Sequence, residues 1–551
     1  MKTNQQPIVF PFRKASYEGG ALRVDESAIR QVVSQNALPA DGFRITATAN
    51  EILLEGSNPA ALAYGLAAIR QICASNPEGT FPTGIFEDYP DFPVRGYMLD
   101  ISRCKVPTMA HLCRLVDSLA ALRYNQLQLY MEHTFAYPQH PVVSAEASPL
   151  TADEVRELDA YCKARHIELV PNQNSFGHME CWLRHPQYRY LAECPDGFIH
   201  PIAGPRAVGS VLYPGAESLQ FLEGLYDSLL PHFSSQSFHV GCDEPWELGQ
   251  GRSREAVAEL GKQRVYLDFL HQIEQRVRSR GRIMHYWADI LLERPDLIAE
   301  APADAVPVIW GYNVDHPFAK QCALLAEHGM TFQVAPGDAT WKCFSGRLET
   351  TLHNQQQAAR EGLRHGAKGY LLTHWGDLGH HQTWPMSLPG MVLGGQLAWH
   401  AEAEVEDSLV PLLNALFFKQ AEPHLAEALL ALGRLDARVP KILVGSWFYD
   451  ALMRQVDETI APVLAGELLD QLDAIERTIS RSGAASADDA DWLYEEMRLG
   501  LEMTRWAIIR NGGQGDVSAY KKARFELIER FKAVWLRRNR SGGLAESISY
   551  F

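Results

Sequence analysis

The sequence predicts a closed (β/α)8 TIM barrel, an α/β fold, with a small α/β domain before it and a helical region after it. Eight short apolar runs lie between residues 96 and 373 and alternate with segments of helical periodicity. The runs are continuously hydrophobic, as parallel strands buried on both faces must be. Beyond about residue 401 strand-like runs stop and only helical spacing remains. The competing arrangement is an open doubly wound sheet, but no glycine-rich phosphate loop follows any early strand.

Taken in order, residues 42–47 and 51–55 read as strands, and 59–72 reads as an amphipathic helix with Leu62, Leu66 and Ile69 on its apolar stripe. They make a small domain of residues 1–88. The segment Glu87-Asp-Tyr-Pro-Asp-Phe-Pro93 breaks regular structure, because each proline fixes its own φ and restricts the residue before it. Barrel strands are expected at 96–101, 126–131, 167–171, 238–241, 283–287, 306–310, 331–335 and 369–373, with helices at 109–122, 152–164, 257–280 and 316–328 between them, in a catalytic unit of residues 89–401. Residues 402–551 form the helical region, with helices at 408–418, 463–479 and 520–537. It packs on the barrel or on a second copy of the chain, as a homodimer would require.

Composition narrows the function. The formal net charge of -16 repels phosphate backbones and anionic lipid surfaces, so neither nucleic acid nor membrane is an expected partner. No apolar run approaches the roughly 20 residues needed to cross a bilayer. The first residues, MKTNQQPIVFPFRK, lack the apolar core of a signal peptide. The 9 cysteines are scattered without metal-binding spacing and read as reduced thiols, so a cytoplasmic location is expected.

A barrel of this kind works at the carboxyl ends of its strands. Those ends carry Asp100 and Arg103; Glu132 and His133; Asn172, Asn174 and His178; Asp243, Glu244 and Trp246; Trp287 and Asp289; Trp310, Tyr312 and Asn313; Asp338 and Trp341; and His374, Trp375 and Asp377. Aromatic faces stack on the C–H faces of a sugar ring, while carboxylates and amides bind hydroxyls. A phosphate cradle is missing, so sugar chemistry fits better than hydride or phosphate transfer. His374, His380 and His381 follow no standard metal spacing, and neither a metal nor another cofactor is expected.

Four motifs stand in order on these strands: Phe92-Pro-Val-Arg-Gly-Tyr-Met-Leu-Asp-Ile-Ser-Arg103, Phe176-Gly-His178, Phe238-His-Val-Gly-Cys-Asp-Glu244 and Leu371-Leu-Thr-His-Trp-Gly-Asp377. Together they resemble glycoside hydrolase family 20, the β-N-acetylhexosaminidases, over about residues 40–400. The runs Thr134-Phe-Ala-Tyr137 and Gly241-Cys-Asp-Glu-Pro-Trp-Glu-Leu-Gly249 are similar to its hexosaminidase D-like branch, and Arg538-Asn-Arg-Ser-Gly-Gly-Leu544 resembles bacterial members. The resemblance implies a retaining exo-enzyme that removes terminal β-linked GlcNAc or GalNAc, in which the substrate's 2-acetamido oxygen is the nucleophile.

It further implies Glu244 as general acid/base, Asp243 as the carboxylate that steers the acetamido group, and His178 as support for Glu244. Arg95 corresponds to the arginine on the 3- and 4-hydroxyls, with an ion pair in the barrel floor as its competing reading, and Asp377 to the carboxylate on the 4- and 6-hydroxyls. Trp287, Trp310 and Trp375 correspond to pocket walls, with Trp341 beside them. The family's strand-two aspartate aligns with His133, preceded by Glu132: either Glu132 takes over its role or the sugar is recognised differently, and both residues are counted among the substrate-binding candidates. The tyrosine that bonds the acetamido oxygen has no direct counterpart, and Tyr312 is assigned to it from the neighbouring strand. Two other readings stay open: a glycosidase for another sugar using Asp377 or Glu132 as a direct nucleophile, and a sugar-binding protein without turnover.

Overall fold

The computed structural model describes residues 12–551, apart from 76–77, 203, 455, 457, 483–486 and 512–516. Most of the N-terminal stretch weighed for a signal peptide, residues 1–11, therefore lies outside the described residues. Strands β1 (Lys14–Arg23), β2 (Arg30–Val33), β3 (Phe43–Ala47), β4 (Ile52–Gly56) and β5 (Thr80–Asp88) form one sheet in the order β1-β5-β3-β4-β2. Helix α1 (Pro59–Ser75) covers a face of it. Strands β3 and β4 alternate buried and half-buried residues, the signature of a sheet with one covered face. Strand β5 runs through Glu87 and Asp88, which the sequence reading had placed in the break. The regular structure ends at Tyr89-Pro90 instead.

The next eight parallel strands are β6 (Val94–Asp100), β7 (Gln126–Met131), β8 (Glu168–Gln173), β11 (Ser237–His239), β12 (Ile283–Trp287), β13 (Val306–Trp310), β14 (Gln333–Ala335) and β15 (Gly369–His374). They close in the order β11-β12-β13-β14-β15-β6-β7-β8. A two-stranded hairpin, β9 (Phe198–His200) with β10 (Gly204–Arg206), projects from the loop after β8. Every residue of β7 and β15 is buried, as closure with helices outside and side chains inside demands. The segment expected as one helix at 257–280 is two, Arg254–Leu260 and Lys262–Arg278. They are parted by Gly261, whose φ of 88° no helix accommodates.

Helix Trp384–Trp399 follows the last strand and is buried from Pro385 to its end. It is apolar all round because it lies between the barrel and the helical region, and a helix with no polar face must be covered on every side. The helical region contains His424–Arg434, Trp447–Met453, Pro462–Arg481, Ala490–Asn511, Val517–Arg538 and Leu544–Ser549, and it packs on the barrel of its own chain. All nine thiols are free. Among the described residues no helix is long and apolar enough to cross a membrane.

Candidate active site

Past β11 the backbone leaves the sheet in a tight corkscrew. Gly241, Cys242 and Glu244 have φ of 69°, 70° and 48°, all left-handed. A Cβ on Gly241 would stand 1.9 Å from Asn174 Oδ1, so only glycine fits there. Left-handed conformations at the two non-glycine residues cost about 1–3 kcal/mol each, strain that the surrounding structure must hold in place. The Glu244 N–H donates to Asp289 Oδ2 at 3.1 Å and helps to do so. Strand alternation would point neighbours to opposite faces. The corkscrew instead brings both carboxylates to one imidazole: His178 Nε2 is 3.2 Å from Asp243 Oδ2 and 3.9 Å from Glu244 Oε2.

The charges in this trio are unequal. Burial pushes the Asp243 carboxyl up, but the charge and hydrogen bond of His178, with Arg103 beyond, outweigh it and hold the group below its ordinary value. Burial pushes Glu244 up and the Asp243 charge adds to it, so that carboxyl is raised despite His178. For His178, burial disfavours the cation, yet the Asp243 charge and hydrogen bond prevail and lift it to about 9. An imidazolium and an ionised Asp243 thus sit beside a Glu244 that keeps its proton to higher pH than an ordinary glutamate. Asp243 Oδ1 is buried and has no hydrogen-bond partner among the described residues. The Asp289 carboxyl beneath is driven up by its own burial and then by Asp243.

The arginine assignment needs correction. Arg95 is the second residue of β6, at the amino end of the strand. It is fully buried, donating to the carbonyls of Arg123 (2.8 Å) and Phe92 (3.0 Å) and pairing with Asp41 of the N-terminal domain at 3.2 Å. A strand advances about 3.3 Å per residue, so Arg95 lies about 17 Å from the carboxyl end at Asp100. It pins the two domains together at the barrel floor. The guanidinium at the mouth belongs to Arg103, which is paired with Asp100 (3.1 Å), Glu132 (3.2 Å) and Asp377 (3.7 Å) and lies over the rings of Tyr130 and Trp375. The motif quoted from the sequence ended on this residue, and its place at the strand's carboxyl end was the signal that could have identified it.

Of the two residues at the end of β7, Glu132 faces the site: it pairs with Arg103 and accepts from the Tyr130 hydroxyl at 3.0 Å. Burial raises its carboxyl. His133 belongs to the loop side, within 4.8 Å of Cys181 and Glu132 and under the influence of Arg184, and burial lowers it to about 4.

The aromatic residues form a cluster of their own inside the barrel, apart from the main core: Trp287, Trp341 and Trp375 with Met98, Tyr130, Val308 and Leu371, and Trp310 and Tyr312 packed against them. Trp310 and Tyr312 are stacked at 5.3 Å, Tyr312 meets Trp341 edge-on at 5.1 Å, and Trp375 bridges Tyr130 and Trp287. Trp287, Trp310, Tyr312, Trp341 and Trp375 are therefore brought together, while Trp246 lies apart beside His200. Trp341 is buried and held between Tyr312 and the Arg347 guanidinium. Of the three histidines at the end of β15 and beyond it, His374 bonds Asp338 (2.6 Å) and His380 (3.1 Å), while His381 turns to the Ser547 carbonyl at 2.9 Å.

The model for the glycosyl hydrolase family 20 catalytic domain matches residues 92–403, and that for domain 2 of the same family matches residues 11–89. The chain belongs to glycosyl hydrolase family 20. Among relatives of this family 20 chain, a beta-hexosaminidase of Akkermansia muciniphila is 27% identical over 297 residues, 48% of this chain and 59% of the relative. Hexosaminidase D of Bos taurus is 23% identical over 57% of this chain and 96% of its own length. The chain thus spans under two thirds of the bacterial relative and nearly all of the bovine one. Two solved structures share the fold. The family 20 exo β-N-acetylglucosaminidase of Vibrio harveyi has a TM-score of 0.61 at 15% identity, covering 76% of this chain and 78% of that one. The β-N-acetylhexosaminidase of Bacteroides fragilis has a TM-score of 0.59 at 16% identity, covering 75% and 95%. Membership makes the chain a glycoside hydrolase.

Proposed function

We propose that this hydrolase removes terminal β-linked N-acetylhexosamine with retention, using the sugar's own acetamido oxygen as nucleophile. The observation that carries the reading is the state of Asp243: ionised, buried, clamped on one oxygen by His178 and unpartnered on the other. A buried acceptor without a partner is costly until a donor arrives, and the acetamido N–H of a bound substrate is such a donor. Bonded there, the amide is turned so that its carbonyl oxygen attacks C1, and the Asp243 charge stabilises the oxazolinium ion that forms.

Glu244, raised and open enough to the mouth that a third of its side chain is exposed, donates its proton to the leaving oxygen and later takes one from the incoming water. Tyr312 is the donor to the acetamido oxygen. Arg103, in place of Arg95, binds the 3- and 4-hydroxyls, and Asp377 the 4- and 6-hydroxyls, with Glu132 replacing the family's aspartate as the partner that orients Arg103. Trp287, Trp310 and Trp375 wall the ring and its methyl group, with Trp341 behind Tyr312. No cofactor enters the scheme.

A thiazoline mimic of the cyclised intermediate tests this reading, since it reproduces the bicyclic geometry that only substrate assistance creates. It should inhibit competitively, with a Ki at least about 100-fold below the KM of an aryl N-acetylhexosaminide, as analogues of high-energy states do. A Ki no better than the KM would count against the mechanism.

A further inference from the structure

The run Arg538-Asn-Arg-Ser-Gly-Gly-Leu544 has no part in the proposed chemistry, yet it is heavily anchored. Arg538 is nearly sealed from solvent. It holds Glu496 by two bonds (2.5 and 2.8 Å) and Asp489 at 2.8 Å, while its carbonyl accepts from the Thr108 N–H. Arg540 donates to the carbonyls of Pro107 (3.2 Å) and Pro149 (2.9 Å) and pairs with Glu154 at 2.6 Å. Gly542 N–H donates to Ser148 Oγ. Gly543 turns the chain with φ 74°, so close to the barrel that a Cβ would stand 1.9 Å from the Cys104 carbonyl oxygen. The short helix Leu544–Ser549 is then fixed by Ser547, whose hydroxyl donates to the Gly379 carbonyl at 2.6 Å and whose carbonyl meets His381.

Apart from Glu496 and Asp489 in the helical region and Glu154 in the helix Ala152–Lys163, these anchors fall on the loops after three strands, β6, β7 and β15. The same three loops carry Arg103, Glu132 and Asp377: Cys104 follows Arg103 directly, and Gly379 is two residues past Asp377. Tyr550, the residue before the buried Phe551, is half-buried against Gly379, where a Cβ would be 2.9 Å from Tyr550 Cδ2, and edge-on to His381 at 5.8 Å. Glu546 is exposed, its carboxylate beside the Cys104 thiol and within electrostatic range of Tyr550.

We propose that the C-terminal tail, through Tyr550 and Glu546, is the end wall of the sugar pocket beyond its distal hydroxyls, and that it excludes N-acetylhexosamines carrying a substituent on O6. This rests on the proposed hexosaminidase reading, in which Arg103 and Asp377 hold the 3-, 4- and 6-hydroxyls. The Tyr550 ring supplies a steric stop, and the Glu546 carboxylate repels an anionic substituent. Such repulsive elements set specificity as effectively as attractive ones.

Three aryl β-glycosides of N-acetylglucosamine decide it: the parent, its 6-O-methyl ether and its 6-O-sulfate, each assayed for kcat/KM with wild type, Tyr550→Ala, Tyr550→Phe and Glu546→Gln, with thermal melting as a control for folding. The wild type is expected to disfavour both substituted sugars. Tyr550→Ala should raise the methyl-ether-to-parent ratio of kcat/KM by about tenfold or more. Tyr550→Phe, which keeps the ring, should retain the exclusion. Glu546→Gln should favour the sulfate alone. Equal scaling of all three substrates in every variant, or a wild type indifferent to the 6-O-methyl group, would overturn the end wall. A wild type that hydrolyses none of the three would refute the hexosaminidase reading itself, and the end wall with it.

Discussion

Replacing His178 with asparagine removes the imidazolium that separates the two working carboxylates. Its Nε2 lies 3.2 Å from Asp243 Oδ2 and 3.9 Å from Glu244 Oε2, and its pKa is lifted from 6.5 to about 9. At about 1.4 kcal/mol per unit, that lift represents on the order of 3 kcal/mol of mutual stabilisation in a site that is mostly buried. Without it, burial of Asp243 is opposed mainly by Arg103, so the carboxyl rises. The acid limb of kcat/KM, set by ionisation of Asp243, should move up by about one unit or more, and kcat/KM near neutrality should fall about 10- to 100-fold. Folding stability carries the same signature. A group whose pKa is raised on folding stabilises fully below its unfolded value and loses that contribution as pH rises through its folded value. The stability gap between wild type and variant should therefore be constant below pH 6.5 and close towards about pH 9. Kinetic pH profiles and denaturant unfolding on both proteins supply the data. An acid limb that stays in place while activity falls uniformly would refute the electrostatic role of His178.

Glu244→Gln should abolish the alkaline limb of kcat/KM, because activity is lost as pH rises through the raised pKa of Glu244, and it should slow poor leaving groups about 100-fold more than activated aryl ones. The check is a comparison of two leaving groups across pH. Arg103→Ala and Arg95→Ala should part company. The first loses charge-assisted bonds to substrate and costs about 100-fold or more in kcat/KM, whereas the second orphans buried carbonyls and Asp41 and costs about 3 kcal/mol of stability with KM little changed. Parallel kinetics and unfolding would expose a reversal. Tyr312→Phe should lower kcat/KM about 100-fold on N-acetylhexosaminides, as loss of one donor to a developing charge does, and an unaffected rate would remove Tyr312 from the acetamido site.

The barrel was legible because its strands are apolar on both faces, so the runs at 283–287 and 306–310 could be located to the residue. Strand β1 was missed for the opposite reason. KASYEGGALR is exposed along nearly all its length, and no periodic burial marks it. The candidate carboxylate pair was marked by its flanking motif, but the geometry that joins Asp243 to Glu244 could not be read, since left-handed conformations at Cys242 and Glu244 are imposed by tertiary packing. The Arg95 error came from reading a motif without its direction along the strand. The same twelve residues contain an arginine at each end of β6, and only the carboxyl-end one can reach the pocket. Asp289 stood in the sequence at a strand end, but its bond to the Glu244 backbone is a contact between strands that no linear spacing reveals.

The central claim is that the attacking atom belongs to the sugar and not to the protein. It is tested most directly by the ratio of kcat/KM for an aryl 2-acetamido-2-deoxy-β-glucoside to that for the parent aryl β-glucoside, which keeps a hydroxyl at C2. A preference of about 1000-fold or more for the acetamido sugar is expected, because the hydroxyl offers no internal nucleophile and leaves Asp243 Oδ1 without its amide partner. Comparable rates on the two would contradict the account and point to a carboxylate of the protein as the nucleophile.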